Sequence, residues 1–393
     1  MNKQIVITGY ESISALGLSW QQLCENLGSA VTPGFAGEFE FHAFDAALPC
    51  FRISGLEPKE VLGRKGLRTK DWATKLLLCV LENGFSGLFA KAPAHDRPGL
   101  CLGTSFGSVQ SIGDFLSDSI ENGVNSVNPQ AFANTVINSP ISNANIRYGI
   151  SSLSTTVSTG FNSSLDALCY ACDYLQQGYL DWIIAGGVEE ISYYELLGFE
   201  RSGQLSASGS IQPHGKSADG LIPGEACGML LLETAEHASA RNANVIAEVC
   251  AVSTGFAPIA AEAADVLAHT MHTALSDASL SASQLAFAAT SANGVAAGDE
   301  IIAHALRDTA PHLPVTAYKR HFGECYGASD ILSAMCALAD LQNNRITGVG
   351  TDYEAVENLN LVTGNVQADS SPYALLLSSS CDGNCGSFIL KNV

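Results

Sequence analysis

Residues Thr155–Leu168 read TTVSTGFNSSLDAL, and the rest of the chain is read around them. Val157, Ser158, Thr159 and Gly160 close a buried strand, and Phe161 and Asn162 make a tight turn. Ser163, Ser164 and Asp166 follow where helix caps and first-turn acids are favoured. A strand that feeds a helix N-terminus is a place to put a nucleophile, because the free N–H groups and helix dipole stabilise a thiolate or oxyanion. Here the turn carries a phenylalanine, which is no nucleophile.

The chain has 393 residues, 47% of them hydrophobic and 15% charged, enough for one large core or two fused domains. The formal net charge is -20, so no cluster of Lys and Arg able to neutralise phosphates is expected, and no nucleic-acid partner. The acidity also argues against direct docking of another acidic protein. Twelve cysteines lack the spacing of a disulfide framework, and Met1-Asn2-Lys3 leads straight into an apolar strand. A reducing cytoplasm is expected. Cys169-x-x-Cys172 lies within LDALCYACDYL and reads as two small helix residues rather than a redox or zinc pair. No membrane span, cofactor or metal is expected.

Apolar strands are read at Gln4–Gly9, Leu100–Gly107, from Ser154 into the opening motif, at Trp182–Gly187, after a loop within Gln212–Leu232, and at Val245–Gly255, Ala286–Ser291 and Val315–Lys319, with two more in Tyr373–Lys391. Helices are read at Ser19–Leu27, Lys70–Ala90, Asp299–Leu306 and Ala328–Leu341, after the opening motif, at Ala260–Ala274, and in part of Pro129–Tyr148. Tyr10–Gly17 reads as a loop and residues 29–60 as irregular. Strands alternating with helices give an α/β class with buried sheets. Two halves, 1–244 and 245–393, carry strand-then-helix units of similar size.

Several motifs, in order, resemble the β-ketoacyl-acyl carrier protein synthases. They are Ile5-Val6-Ile7-Thr8-Gly9, Phe132-Ala133-Asn134-Thr135-Val136-x-Asn138, Thr156-Val157-Ser158-Thr159 and Ala185-Gly186-Gly187-Val188-Glu189. Asp219-Gly220-x-x-Pro223-Gly224-Glu225 and Lys319 with Gly323 and Gly327-Ala328 complete the set. The resemblance implies a thiolase-like fold, duplicated, with five αβαβα layers. It also implies a cysteine that takes the acyl chain as a thioester, and two histidines that assist decarboxylation of the extender.

Carried over position by position, the cysteine falls on Phe161, the first histidine on Ser291 and the second on Glu324. Lys319 is retained, and the phenylalanine that gates the pocket falls on Asp382. No catalytic residue is therefore expected. A carboxylate at position 324 would repel a forming enolate; an ion pair between Lys319 and Glu324 is the simpler reading. His321 reads as an exposed turn residue, and Ser158, Ser163 and Ser164 as capping and packing residues.

The resemblance narrows to chain-length factors, family members that lack the nucleophile and pair with an active ketosynthase. It implies a heterodimer in which this chain shapes the partner's tunnel, with acyl carrier protein reached through the partner. Phe132, Asn134, Thr135 and Asn138 are then interface or tunnel residues. Phe161 departs from the glutamine usual in that group and points to a subgroup such as the aryl polyene pathways. Two alternatives stay open. One is a rewired malonyl- or acyl-thioester decarboxylase or hydrolase using Glu324, Lys319 or a nearby serine; the other is a homodimeric acyl-binding scaffold.

Overall fold

The computed structural model describes residues 3–28, 34–35, 48–93 and 96–393. Most of the stretch read as irregular, residues 29–33 and 36–47, lies outside them, as do Met1 and Asn2. The first half runs β1 (Ile5–Ile13), α1 (Trp20–Asn26), β2 (Gly34–Phe35), β3 (Pro49–Cys50), α2 (Pro58–Leu62), α3 (Trp72–Lys91), β4 (Gly99–Gly103) and α4 (Val109–Asn122). It continues through α5 (Ser139–Tyr148), β5 (Ser154–Val157), α6 (Ser163–Gln176), β6 (Trp182–Glu189), α7 (Tyr193–Ser202), β7 (Ala226–Thr234) and α8 (Ala235–Ala240). The second half runs β8 (Ala247–Phe256), α9 (Ala263–Asp277), β9 (Phe287–Thr290), α10 (Ala296–Thr309), β10 (Val315–Thr316), α11 (Lys319–Phe322) and α12 (Ser329–Gln342). The short pair β11 (Arg345–Ile346) and β12 (Val366–Gln367) precedes the closing hairpin β13 (Tyr373–Ser379) and β14 (Asn384–Asn392).

Ten strands form one sheet in the order β10-β9-β13-β14-β8-β1-β7-β6-β4-β5. Cut at the β8–β1 seam, where only Ile5–Ile7 pair with Ala247–Val249, it gives two five-stranded halves. Each half has its large-sheet strands in the order third, second, fourth, fifth, first. The directions repeat too. The second strand is parallel to the third and fourth, and the fifth is antiparallel to the fourth and first. This repeat is the duplication that the thiolase-like resemblance implied.

The layers follow from which helix faces are apolar. One core packs α3 and α5 against the first half-sheet, and another packs α9 and α10 against the second. Between the half-sheets lie α6 and α12, in the largest core. α12 is buried from Ser329 to Leu341, as a helix apolar all round must be when sheets cover both its sides. The five layers αβαβα are thus present. Helix α3, capped by Asp71 through the Thr74 N–H at 2.8 Å, is long and apolar enough by composition to cross a membrane, but its apolar residues pack into the outer core.

Several local readings change. Tyr10–Gly17 is not a loop throughout: β1 runs on to Ile13, because Gly9–Ile13 pair with Cys227–Leu231 of β7. The strand read to Lys319 stops at Thr316, and Lys319 instead opens α11. Helices α4 and α7 fall in segments for which no helix was read. α4 buries none of its residues; its apolar repeat, Ile112, Leu116 and Ile120, lies exposed.

Candidate active-site region at the α6 N-terminus

β5 delivers the chain to α6 through Gly160, whose positive φ of 72° suits glycine. A side chain there would also collide with the Asp382 carboxylate, so the C-terminal hairpin turn closes directly over this bend. On the other side, Gly103 at the end of β4 lets α6 sit hard against the sheet, since a Cβ would lie 2.4 Å from the Ser163 carbonyl carbon. The N-cap of α6 is Asn162, not a serine, and its side chain makes no capping bond. Ser163 Oγ accepts the Thr159 N–H at 3.0 Å, and Ser164 Oγ accepts the Ile331 N–H at 3.2 Å. Ser158 is exposed and donates to the Ser105 carbonyl at 3.3 Å. The serines therefore hold the turn together.

Phe161 is half-buried, and its N–H donates to Ser380 Oγ at 3.3 Å. Its ring belongs to a four-ring cluster. The centroid lies 5.1 Å from Tyr326, 6.3 Å from Phe199 and 6.4 Å from Phe106. Tyr326 stacks on Phe199 at 5.3 Å and meets Phe106 edge-on at 5.0 Å. Edge-to-face and stacked ring pairs are each worth about 0.5–1.5 kcal/mol beyond burial, so the cluster lines the turn with cohesive, unreactive surface. Phe106, Phe199 and Tyr326 were not singled out from the sequence. They come from three separate segments, and only the fold brings them together.

Behind the rings lies Glu324, fully buried. Its Oε2 accepts from Lys319 Nζ at 2.6 Å and Asn293 Nδ2 at 2.7 Å. Its Oε1 accepts from Ser329 Oγ at 2.7 Å and the Tyr326 N–H at 2.9 Å. The ion pair read from the sequence is present, with both partners almost wholly removed from solvent. Such a pair survives only where the remaining lone pairs are satisfied, as they are here. Lys319 also counters Asp330, whose carboxyl burial pushes up to about 7. Ser291 is buried and tied to the hairpin: its Oγ accepts the Ser379 N–H at 2.9 Å. Asp382 caps its own turn, accepting the Asn384 N–H at 3.1 Å.

His321 is not exposed, as its turn position suggested. It is 8% exposed and its Nε2 donates to the Gly348 carbonyl at 3.1 Å, because α11 turns the ring inward. Cys172 is buried and Cys169 partly so, and burial pushes the Cys169 thiol up to about 11, as for packing residues. Two further acids lie near the rings. Glu189, pushed by burial to about 7, accepts N–H bonds from Ser105, Phe106, Gly107 and Gly327. Burial pushes Glu195 well above the ordinary carboxyl range, with the Tyr326 hydroxyl opposing the shift.

The remaining sequence candidates lie outside this cluster. Phe132 is 59% exposed, and its ring lies 5.9 Å from Phe115 on α4. Asn134 bonds the Thr69 carbonyl, Thr135 Oγ1 donates to the Phe132 carbonyl at 2.8 Å, and Asn138 is the exposed N-cap of α5. Arg52, Arg68, Lys70 and Lys75 line one pocket of about 530 Å³, interspersed with Asp71, Asp114 and Glu190.

Residues 63–238 match the β-ketoacyl synthase N-terminal domain, and residues 244–349 match the β-ketoacyl synthase C-terminal domain. A 3-oxoacyl-[acyl-carrier-protein] synthase 2 from Vibrio harveyi is 25% identical over 418 aligned positions, covering 100% of this chain and 99% of that protein. Among solved structures, the ishigamide ketosynthase/chain length factor superposes with a TM-score of 0.89 at 21% identity, covering 100% of both chains. A complex of the ketosynthase ApeO with its chain length factor ApeC, from Xenorhabdus doucetiae, gives 0.84 at 18% identity, covering 100% of this chain and 98% of that one.

Proposed function

The chain belongs to the β-ketoacyl synthase family, and on that premise we propose that it is a subunit that does not itself condense acyl groups. In this reading it is a chain-length factor. It pairs with an active ketosynthase, helps to set the length of that partner's acyl or polyene product, and meets acyl carrier protein through the complex. The aryl polyene pathways are the proposed setting, and a boundary at 244/245 is the proposed division of the chain. Solved chain-length-factor complexes with the same fold support the kind of role.

One observation carries the reading: the turn at the α6 N-terminus presents Phe161, packed among three other rings, where a nucleophile would use the helix dipole. Phe161, Ser291, Glu324 and Asp382 take the former cysteine, histidine and gate positions in this proposal. The rival, a thioester decarboxylase or hydrolase built on Glu324 and Lys319, is disfavoured by Glu324 itself. Both its oxygens are already saturated by four donors in a buried site, so it has no lone pair aimed at a substrate. A neutral electrophile or general base needs a free, reachable group.

The test is co-production with a ketosynthase that retains its cysteine and two histidines, followed by light scattering and intact-mass analysis after incubation with acyl thioesters. The reading expects a one-to-one complex with acyl adducts on the partner alone. A homodimer that takes up acyl groups would overturn it.

A further inference from the structure

Four acids come together near the start of α3: Asp71, Glu189, Glu190 and Glu225. Two of them have donors on both carboxyl oxygens. Glu189 Oε1 accepts from Thr104 Oγ1 at 2.7 Å, and its Oε2 accepts the Ser105 N–H at 2.7 Å. Glu225 Oε1 accepts the Ile53 N–H at 2.9 Å, and its Oε2 accepts the Trp72 Nε1–H at 3.0 Å. The other two are only half supplied. Asp71 Oδ1 accepts the Thr74 N–H at 2.8 Å and Glu190 Oε2 accepts the Ala73 N–H at 2.8 Å, so both acids cap one helix through neighbouring N–H groups. Asp71 Oδ2 and Glu190 Oε1 are buried and receive no hydrogen bond. Glu190 is 5% exposed, and the Asp71 charge acts on it more strongly than any other.

The cations nearby are engaged elsewhere or stand off. Lys70 Nζ bonds Asn143 Oδ1, and Arg52 Nε lies 3.8 Å from Glu225 Oε1. Lys75, one turn along α3, favours the Asp71 carboxylate through space without bonding its free oxygen. Arg68 and Asp114 line the same pocket of about 530 Å³ as the two acids, and Glu195 on α7 is a further buried acid within range of Glu190. Two buried carboxylate oxygens side by side, neither with a donor, repel each other and lack their hydrogen bonds. One proton removes both faults, because it cancels a charge and a protonated carboxyl is itself an O–H donor. We propose that Asp71 and Glu190 share one proton between Oδ2 and Oε1 and so cap α3 as a unit, and that the first turn of α3 loosens when the solution turns alkaline and this proton is lost. Burial raises both carboxyls above their ordinary range, and the Asp71 charge helps to push Glu190 to about 8. The unfolded chain has lost such a proton above about pH 4–5. The contribution of the pair is thus complete below that pH and fades as pH rises towards about 8.

Urea melts of the full chain between about pH 5 and about pH 9 test it, on wild type, Asp71→Asn, Glu190→Gln and the double variant. Each amide keeps the shape of its acid and brings an N–H donor to the remaining carboxylate. From about pH 5 to about pH 8 the unfolding constant of the wild type should rise with pH more steeply than that of either single variant, by about tenfold per pH unit, the slope of one proton. The double variant should be no flatter than the singles, because the pair holds a single proton. A double variant flattened by two protons, or an Asp71→Asn chain with the wild-type slope, would overturn the inference. Hydrogen exchange of peptides covering the first turn of α3 reads the same device in the wild type alone. Corrected for the intrinsic pH dependence of exchange, protection there should drop above about pH 8, and protection that stays level to about pH 9 would also overturn the inference. So would stabilisation of the wild type by magnesium or calcium that Glu190→Gln abolishes, since a metal ion would then sit between the two acids in place of the proton.

Discussion

Glu324 and α4 are built on opposite terms. Glu324 is fully buried and holds four hydrogen bonds, one of them from the backbone of Tyr326 in the aromatic cluster. α4 buries no residue and turns an apolar stripe outward. In an enzyme of this family's chemistry the reverse division is needed: reactive groups held open to a substrate, with the surface satisfied. Here the interior carboxylate is satisfied and an apolar helix face is not, the division that the proposed companion role needs.

The largest effect that could break this comparison is at the interior. Glu324→Ala removes the carboxylate hydrogen-bonded to the buried Lys319 and leaves only the more distant Asp330 to counter it, so the protein should lose about 3–5 kcal/mol in chemical denaturation. Glu324→Gln retains the Ser329 and Asn293 contacts in part and should lose less. A loss below about 1 kcal/mol for the alanine variant would mean that the pair is not the knot described, since even an ordinary lost hydrogen bond costs that much. Next comes Phe161→Ala. The ring is half-buried, so the cost should be about 1–3 kcal/mol, below the range for fully buried phenylalanines. Phe161→Cys should remain unacylated by acyl thioesters, because no neutral imidazole accompanies the new thiol.

A pH titration sharpens the interior side. Glu190, beside Asp71, is pushed to about 8 by burial, and Glu189 and Asp330 to about 7. Each carboxyl keeps a proton in the folded state that the unfolded chain has already lost above about pH 4–5. The stability is therefore complete below that pH and falls as pH rises towards about 8. Glu190→Gln should flatten part of the fall in a series of urea melts between pH 5 and 9. An unchanged slope would mean that Glu190 does not hold its proton. The smallest effect is on the outer side. Leu116→Ser should shift stability by no more than about 0.5 kcal/mol, as for exposed positions generally, while weakening the partner complex.

Much of this was legible in the sequence where the signal is local. The strand, turn and helix at Thr155–Leu168 were read from small and capping residues and are present as β5 and α6, but β5 is a sheet-edge strand with only Val157 buried, not the buried strand expected. The Lys319–Glu324 pair was read from the family resemblance, which puts both residues at the former active site, and it is present. What the sequence hid was long-range. Phe106, Phe199 and Tyr326 meet Phe161 only after four elements pack together. His321 looked exposed because a turn histidine usually is, and α11 buries it. α4 was not read although Ile112, Leu116 and Ile120 repeat at helical spacing, because those apolar residues are few among polar ones and none is buried.

The central claim is that this chain contributes surface, not chemistry, to acyl condensation. The direct measurement is intact-mass spectrometry of the chain mixed with an active ketosynthase and an acyl-loaded carrier protein. The account predicts a stoichiometric acyl adduct on the ketosynthase and none on this chain, with both in one complex. A stoichiometric adduct on this chain would contradict it.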